Sequence, residues 1–161
     1  MKYEKKTQLI IFMLILLITG IFPDHGSASS TVILLKGQCV YVPIYSHIYH
    51  GNRDKPFDLT ATLSIRNTNL KQEITLISAD YFDSNGNFLK NYVEKPIKLK
   101  KLASIRYTIK SKDNSGGSGA KFIVRWKSKE PVNPPLIEAI MISTRSQQGI
   151  SFISRGQTIK E

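Results

Sequence analysis

Between Phe57 and Arg66 the chain alternates. Phe57, Leu59, Ala61, Leu63 and Ile65 fall on one side, and Asp58, Thr60, Thr62, Ser64 and Arg66 on the other. A period of two sends successive side chains to opposite faces of a strand, so this stretch demands a half-buried sheet rather than an amphipathic helix. The same period returns at Ile105, Tyr107 and Ile109, set against Ser104, Arg106, Thr108 and Lys110. It returns again at Phe122, Val124 and Trp126, set against Ile123, Arg125 and Lys127.

Turn residues punctuate these runs. Asn67-Thr68-Asn69 closes the first strand, and Ile74 to Asp83 is apolar on both sides, as a central strand would be. Asn85-Gly86 then predicts a hairpin joining 74–83 to 87–93 through a two-residue turn with positive φ. Leu136 to Ser143 and Ile150 to Ser154 read as two final strands. Seven to eight strands without a helical period predict an all-β fold, an antiparallel β-sandwich that is immunoglobulin-like in architecture. A small closed barrel is the alternative.

The first residues do not belong to that pattern. Lys2, Lys5 and Lys6 precede an apolar run from Leu9 to Phe22, and Gly26-Ser27-Ala28 supplies small residues for cleavage. This is the composition of a secretory signal peptide, residues 1–28, with cleavage expected after Ala28. The run is shorter than the ~20 residues that a spanning helix needs, although an uncleaved anchor is the other reading. Residues 29–161 are then expected to form a single domain, exported to the periplasm, the extracellular space or the cell surface, with no transmembrane helix after cleavage. The only cysteine, Cys39, follows Lys36-Gly37-Gln38, which is no lipobox, and it cannot form an internal disulfide. Burial in a strand is its expected fate.

The chain carries a net charge of +11. Cleavage removes three lysines and two acids (Glu4 and Asp24), leaving an excess of about +10 on the domain. Such a charge suits anionic envelope polymers, lipid headgroups or extracellular nucleic acid, and also suits plain solubility.

Candidate sites are few. In "VYVPIYSHIYHG" an extended chain puts Val40, Val42, Ile44, Ser46 and Ile48 on one face, and Tyr41, Pro43, Tyr45, His47 and Tyr49 on the other. Pro43 lacks an amide donor, which predicts an edge strand with an aromatic outer face. Tyr41, Tyr45, His47, Tyr49 and His50 are therefore a candidate binding edge, for sugar rings or an added partner strand. His47 and His50 are three apart and fall on opposite faces of an ideal strand. Two histidines are also too few for zinc, so no metal and no cofactor are expected.

Gly116 to Ala120 resembles a nucleophile elbow without its last glycine and without a following helix. Asp80 and Glu138 stand inside apolar strands, where a carboxylate needs a partner, and an arginine ion pair is the expected explanation. If 104–112 and 121–129 form a hairpin across the "DNSGGSGA" loop, Arg106, Lys110, Lys112, Lys121, Arg125, Lys127 and Lys129 share one cationic face. No nucleic-acid motif accompanies them, so specific nucleic-acid recognition is not expected.

The stretches "VYVPIYSHIYHG", "FDLTATLSIRNTN", "YVEKPIKLKKLAS", "GGSGAKFIVRW" and "GISFISRG" together resemble a family of exported bacterial proteins with one β-rich domain of unknown function. The resemblance spans roughly residues 38–157 and implies a secreted or envelope-attached β domain, with no activity to carry over. The resulting expectation is a non-catalytic binding or interaction module of the cell envelope. Its partner would be an anionic envelope polymer, a glycan or another envelope protein. The alternative is a small metal-dependent hydrolase using His47, His50 and Asp54.

Overall fold

The computed structural model describes Tyr3 and residues 33–49, 55–144 and 149–161. Apart from Tyr3, the signal-peptide expectation for residues 1–28 lies outside the described residues, as do His50 and Asp54. Val32–Glu161 forms one compact unit, and every described residue of the core lies within it.

Among the described residues of this unit there are twelve strands. They are β1 (Leu35–Pro43), β2 (His47–Ile48), β3 (Phe57–Asp58), β4 (Thr60–Arg66), β5 (Ile74–Phe82) and β6 (Phe88–Asn91). There follow β7 (Ile97–Leu99), β8 (Ser104–Ile109), β9 (Lys121–Val132), β10 (Leu136–Ser143), β11 (Ile150–Arg155) and β12 (Gln157–Ile159). The six-stranded sheet runs β12-β1-β9-β5-β6, with β7 also on β5, and the four-stranded sheet runs β11-β10-β4-β8. All pairings are antiparallel. The all-β antiparallel expectation holds, whereas the strand order does not establish the immunoglobulin-like part. Twelve strands exceed the expected seven or eight because β2, β3, β7 and β12 are only two or three residues long.

Alternation sorts the core as the sequence predicts. Val40, Val42, Leu63, Ile65, Phe122, Val124 and Trp126 point inward, and both sheets contribute to a single cluster. β5 is central, between β9 on one side and β6 and β7 on the other. β1 is not the edge strand that Pro43 suggests, since it lies between β12 and β9. β12 pairs only Cys39 to Tyr41, so Pro43 sits beyond its reach and its missing donor breaks no ladder.

The β5–β6 hairpin forms where Asn85-Gly86 predicts it, with a different turn. Gly86 alone has positive φ, at 89°. The Asp83 carboxylate accepts from the amides of Asn85 (2.9 Å) and Asn87 (2.8 Å) and from the Asn87 side chain (2.8 Å). That carboxylate organises a three-residue loop, so Asn85 need not enter the left-handed region. The same bonds, the Asn87 side chain first, hold the Asp83 pKa below the usual carboxylate range.

The largest departure from expectation concerns β8 and β9. They do not form a hairpin: β8 pairs with β4 in the four-stranded sheet and β9 with β1 and β5 in the other. The glycine-rich loop between them crosses from sheet to sheet and is anchored on the way. Ser84 Oγ donates to Gly116 O (3.0 Å) and accepts from Gly119 N (2.9 Å), while Ser46 Oγ donates to Gly117 O (3.0 Å). A Cβ on Gly116 would lie 1.8 Å from the Tyr81 hydroxyl oxygen. That hydroxyl is buried and has no hydrogen-bond partner among the described residues.

Two outcomes follow from these contacts. Gly116→Ala should lower the unfolding free energy by about 1–3 kcal/mol through overpacking. Tyr81→Phe should be neutral or stabilising alone, because it removes an unpaired buried hydroxyl, and should recover part of the Gly116→Ala loss in a urea-unfolding double-mutant cycle. For Asp83 the folded pKa lies below the unfolded one, so its contribution is complete above the unfolded value near 4 and is lost as pH falls through the folded value. Thermal unfolding across pH 2–7 should show an acid loss that Asp83→Asn diminishes.

Candidate functional site

At the end of strand β4 the chain makes a polar knot. Asn67 is 2% exposed, and its Nδ2 donates to the carbonyls of Gln72 (2.9 Å), Lys100 (3.0 Å) and Leu99 (3.2 Å). Its Oδ1 accepts from the amide (3.0 Å) and the side chain (2.9 Å) of Asn69. Asn69 in turn bonds the backbone of Asn133 in both directions, each at 3.1 Å. Thr68 Oγ1 donates to Pro134 O at 3.1 Å. Two asparagines thus tie together the β4–β5, β7–β8 and β9–β10 connections. Buried amides of this kind are satisfied in one geometry only, which makes the loop end rigid.

The knot sets the walls of a cleft of about 490 Å³ lined by Lys71, Gln72, Glu73, Lys100, Lys101, Ser128 and Lys129. Ser128 Oγ donates to Glu73 O at 3.4 Å. The carboxylate of Glu73 sits 3.4 Å from Lys98 Nζ, an exposed pair of small energetic weight. Four lysines therefore line one opening, with one carboxylate already engaged beside them. An anionic group placed there has ammonium groups from several loops to pair with.

The seven cations proposed for a shared hairpin face are scattered by the two-sheet topology. Arg106 stands on β8 opposite Ser64, and Lys110 and Lys112 lie in the crossing loop. Lys121, Arg125, Lys127 and Lys129 are on β9 in the other sheet. Lys121 Nζ donates to Asp83 O at 2.5 Å. Arg125 is held by Asp80 at 2.7 Å and by Glu161 at 2.5 Å. Its hydrogen bond to Glu161 pulls that carboxyl below the usual range. Of the seven, only Lys129 reaches the cleft.

Asp80 and Glu138 find the arginines expected of them, Arg125 at 2.7 Å and Arg66 at 3.7 Å. Neither pair lines the cleft. Cys39 is buried and free, and its thiol pKa is raised, first by burial and then by neighbouring Glu161. A thiol so placed is a poor nucleophile.

The tyrosine–histidine stretch is likewise divided. Tyr41 lies on the outer side of β1 opposite Ile123 and Gln157, whereas Tyr45 packs edge-on against Phe152 of β11, with 5.7 Å between ring centroids. His47 meets Tyr49 edge-on at 5.4 Å, and its Nδ1 lies 3.2 Å from Ser46 Oγ. His47 stands across from Asp58 in the β2–β3 pair. Among the described residues no three His, Cys, Asp or Glu side chains come together as a metal site would require.

Strands β1 to β12 fall almost wholly within residues 37–159, the span matched by a family model described as "Protein of unknown function (DUF3124)". The chain belongs to this family. The DUF3124 span takes in both sheets and all the loops of the lysine cleft. No curated protein matches the chain. Among solved structures it is similar to "Crystal Structure of Thermotoga maritima 1070", at 10% identity and a TM-score of 0.45, covering 74% of this chain and 92% of that one.

Of the residues that line the cleft, only Lys129 stood among the candidate sites read from the sequence; Lys71, Gln72, Glu73, Lys100, Lys101 and Ser128 did not. Asn67→Ala should lower the unfolding free energy by about 2–4 kcal/mol in urea titration, because it orphans the buried Leu99 carbonyl, two part-buried carbonyls and the Asn69 donors together. Amide hydrogen exchange should quicken in all three tied loops, not only beside the substitution.

Proposed function

We propose that this DUF3124 domain is a non-catalytic binding module, exported to the cell envelope, that takes anionic groups in its lysine cleft. The observation that carries the reading is the convergence of Lys71, Lys100, Lys101 and Lys129 on one opening whose backbone is fixed by Asn67. Phosphate- or carboxylate-bearing envelope material is the chemistry such a site takes, and specific nucleic-acid recognition forms no part of it. A rigid backbone beneath flexible lysines lets the ammonium groups adapt to a polymer while holding their separation within limits.

The test is binding of soluble polyphosphate to residues 29–161, followed across salt concentration. Four ammonium contacts on a flexible polyanion should give a log–log salt slope of about −3. A Lys100→Ala/Lys101→Ala/Lys129→Ala variant should weaken binding at least about tenfold, each lost contact contributing several-fold. Lys110→Ala/Lys112→Ala should change it little. Equal losses in both variants would show diffuse charge and sink the cleft as the site. Stoichiometric zinc in the purified protein, lost in a His47→Ala/His50→Ala variant, would instead favour the metal-dependent hydrolase.

A further inference from the structure

The lysine cleft has an apolar rim. Leu70 and Leu102 are 72% and 62% exposed, and each directly adjoins a cleft lysine in sequence, Lys71 and Lys101. Ile33 and Leu34, 68% and 53% exposed, precede β1 at the same end, where Leu35 pairs with Val132 beside the Asn69–Asn133 tie. Four large aliphatic side chains thus stand in solvent around the knot that builds the cleft.

Leu102 is the telling member. Its φ is 58°, and it is the one non-glycine residue with positive φ among those described. Glycine or asparagine fits that conformation, while a leucine is strained there. Its side chain also gains nothing inside the fold, being mostly exposed. The position holds a residue that costs the domain on two separate counts.

Apolar tips interleaved with lysines match one environment above others, the boundary between headgroups and acyl chains. The geometry points to an anionic lipid bilayer as the partner of this end: Leu70 and Leu102 enter the acyl boundary, and Lys71, Lys100, Lys101 and Lys129 meet the phosphates. This rests on the anion-binding reading of the cleft and names its source. A soluble polyanion would engage the lysines and leave the leucines in water, whereas a bilayer uses both sets. Each lysine brought to an anionic surface strengthens binding roughly fivefold.

The experiment uses residues 29–161, which contain every described core residue, so that the apolar run of residues 9–22 cannot itself partition. Sedimentation with vesicles of phosphatidylcholine and phosphatidylglycerol is compared with pure phosphatidylcholine, and polyphosphate binding is measured in parallel. The protein should bind the mixed vesicles and not the neutral ones. Leu70→Ser/Leu102→Ser should weaken vesicle binding at least about tenfold and leave polyphosphate binding unchanged, given the apolar surface removed. Leu102→Gly alone should raise the unfolding temperature by relieving the left-handed strain, yet lower vesicle affinity.

Vesicle binding that survives both leucine variants overturns the bilayer inference and leaves the anion site standing. So does polyphosphate binding without vesicle binding. Failure to bind either partner overturns both readings.

Discussion

The side-chain amide of Asn67 is the constraint on which the candidate site depends. It donates to three carbonyls and accepts two bonds, and almost none of it meets solvent. A buried amide is worth little relative to water when fully satisfied, but leaving its partners unpaired is expensive. That asymmetry makes the arrangement nearly all-or-none. Either the β4–β5 and β7–β8 connections sit where Asn67 requires, or the buried Leu99 carbonyl and the Asn67 amide itself lose their partners. Lysines on those connections line one opening because the backbone beneath them is held in that arrangement.

The charges elsewhere on the six-stranded sheet are arranged differently. Arg125 is clamped between Asp80 and Glu161, and Lys121 is turned onto the Asp83 carbonyl. These cations serve the fold by pairing across strands or fastening the hairpin loop. The cleft lysines have a single carboxylate among them, already facing Lys98. Position in the chain does not separate the two groups, since Arg125 and Lys129 are four residues apart on one strand. What separates them is whether an acid or a carbonyl comes within reach, as Asp80 does for Arg125 from the neighbouring strand β5.

This explains how much the sequence could reveal. Period-two alternation is local, so inward residues such as Leu63, Phe122 and Val124 were legible, and so was the hairpin at Asn85-Gly86. A carboxylate in an apolar strand carries its own demand for a partner, which made the ion pairs of Asp80 and Glu138 foreseeable. Strand pairing across a long polar loop has no such local signature. The run from Lys110 to Ala120 suits a flexible hairpin loop as well as a crossing between sheets, and anchors distant in sequence, Ser84 and Ser46 among them, decide it. The cleft was hidden for the same reason, because Lys71, Lys100 and Lys129 meet through hydrogen bonds spanning 32 and 64 residues of chain. The faint signals were two asparagines closing one strand, and leucines flanked by lysines in otherwise polar turns.

Those leucines bear on how the site is read. Folding alone favours glycine at position 102, since a left-handed backbone and an exposed aliphatic side chain both count against leucine. A site for free anions favours a polar residue there too, for solubility beside a charged opening. Only a partner that offers negative charge and an apolar layer a few ångströms beneath it turns both liabilities into contacts. On that reading the strain at Leu102 is what keeps the side chain pointing outward, and the rigidity imposed by Asn67 is what keeps the lysines and the leucines on the same end. Binding then needs no rearrangement of the domain, because the two sheets already present charge and apolar surface together.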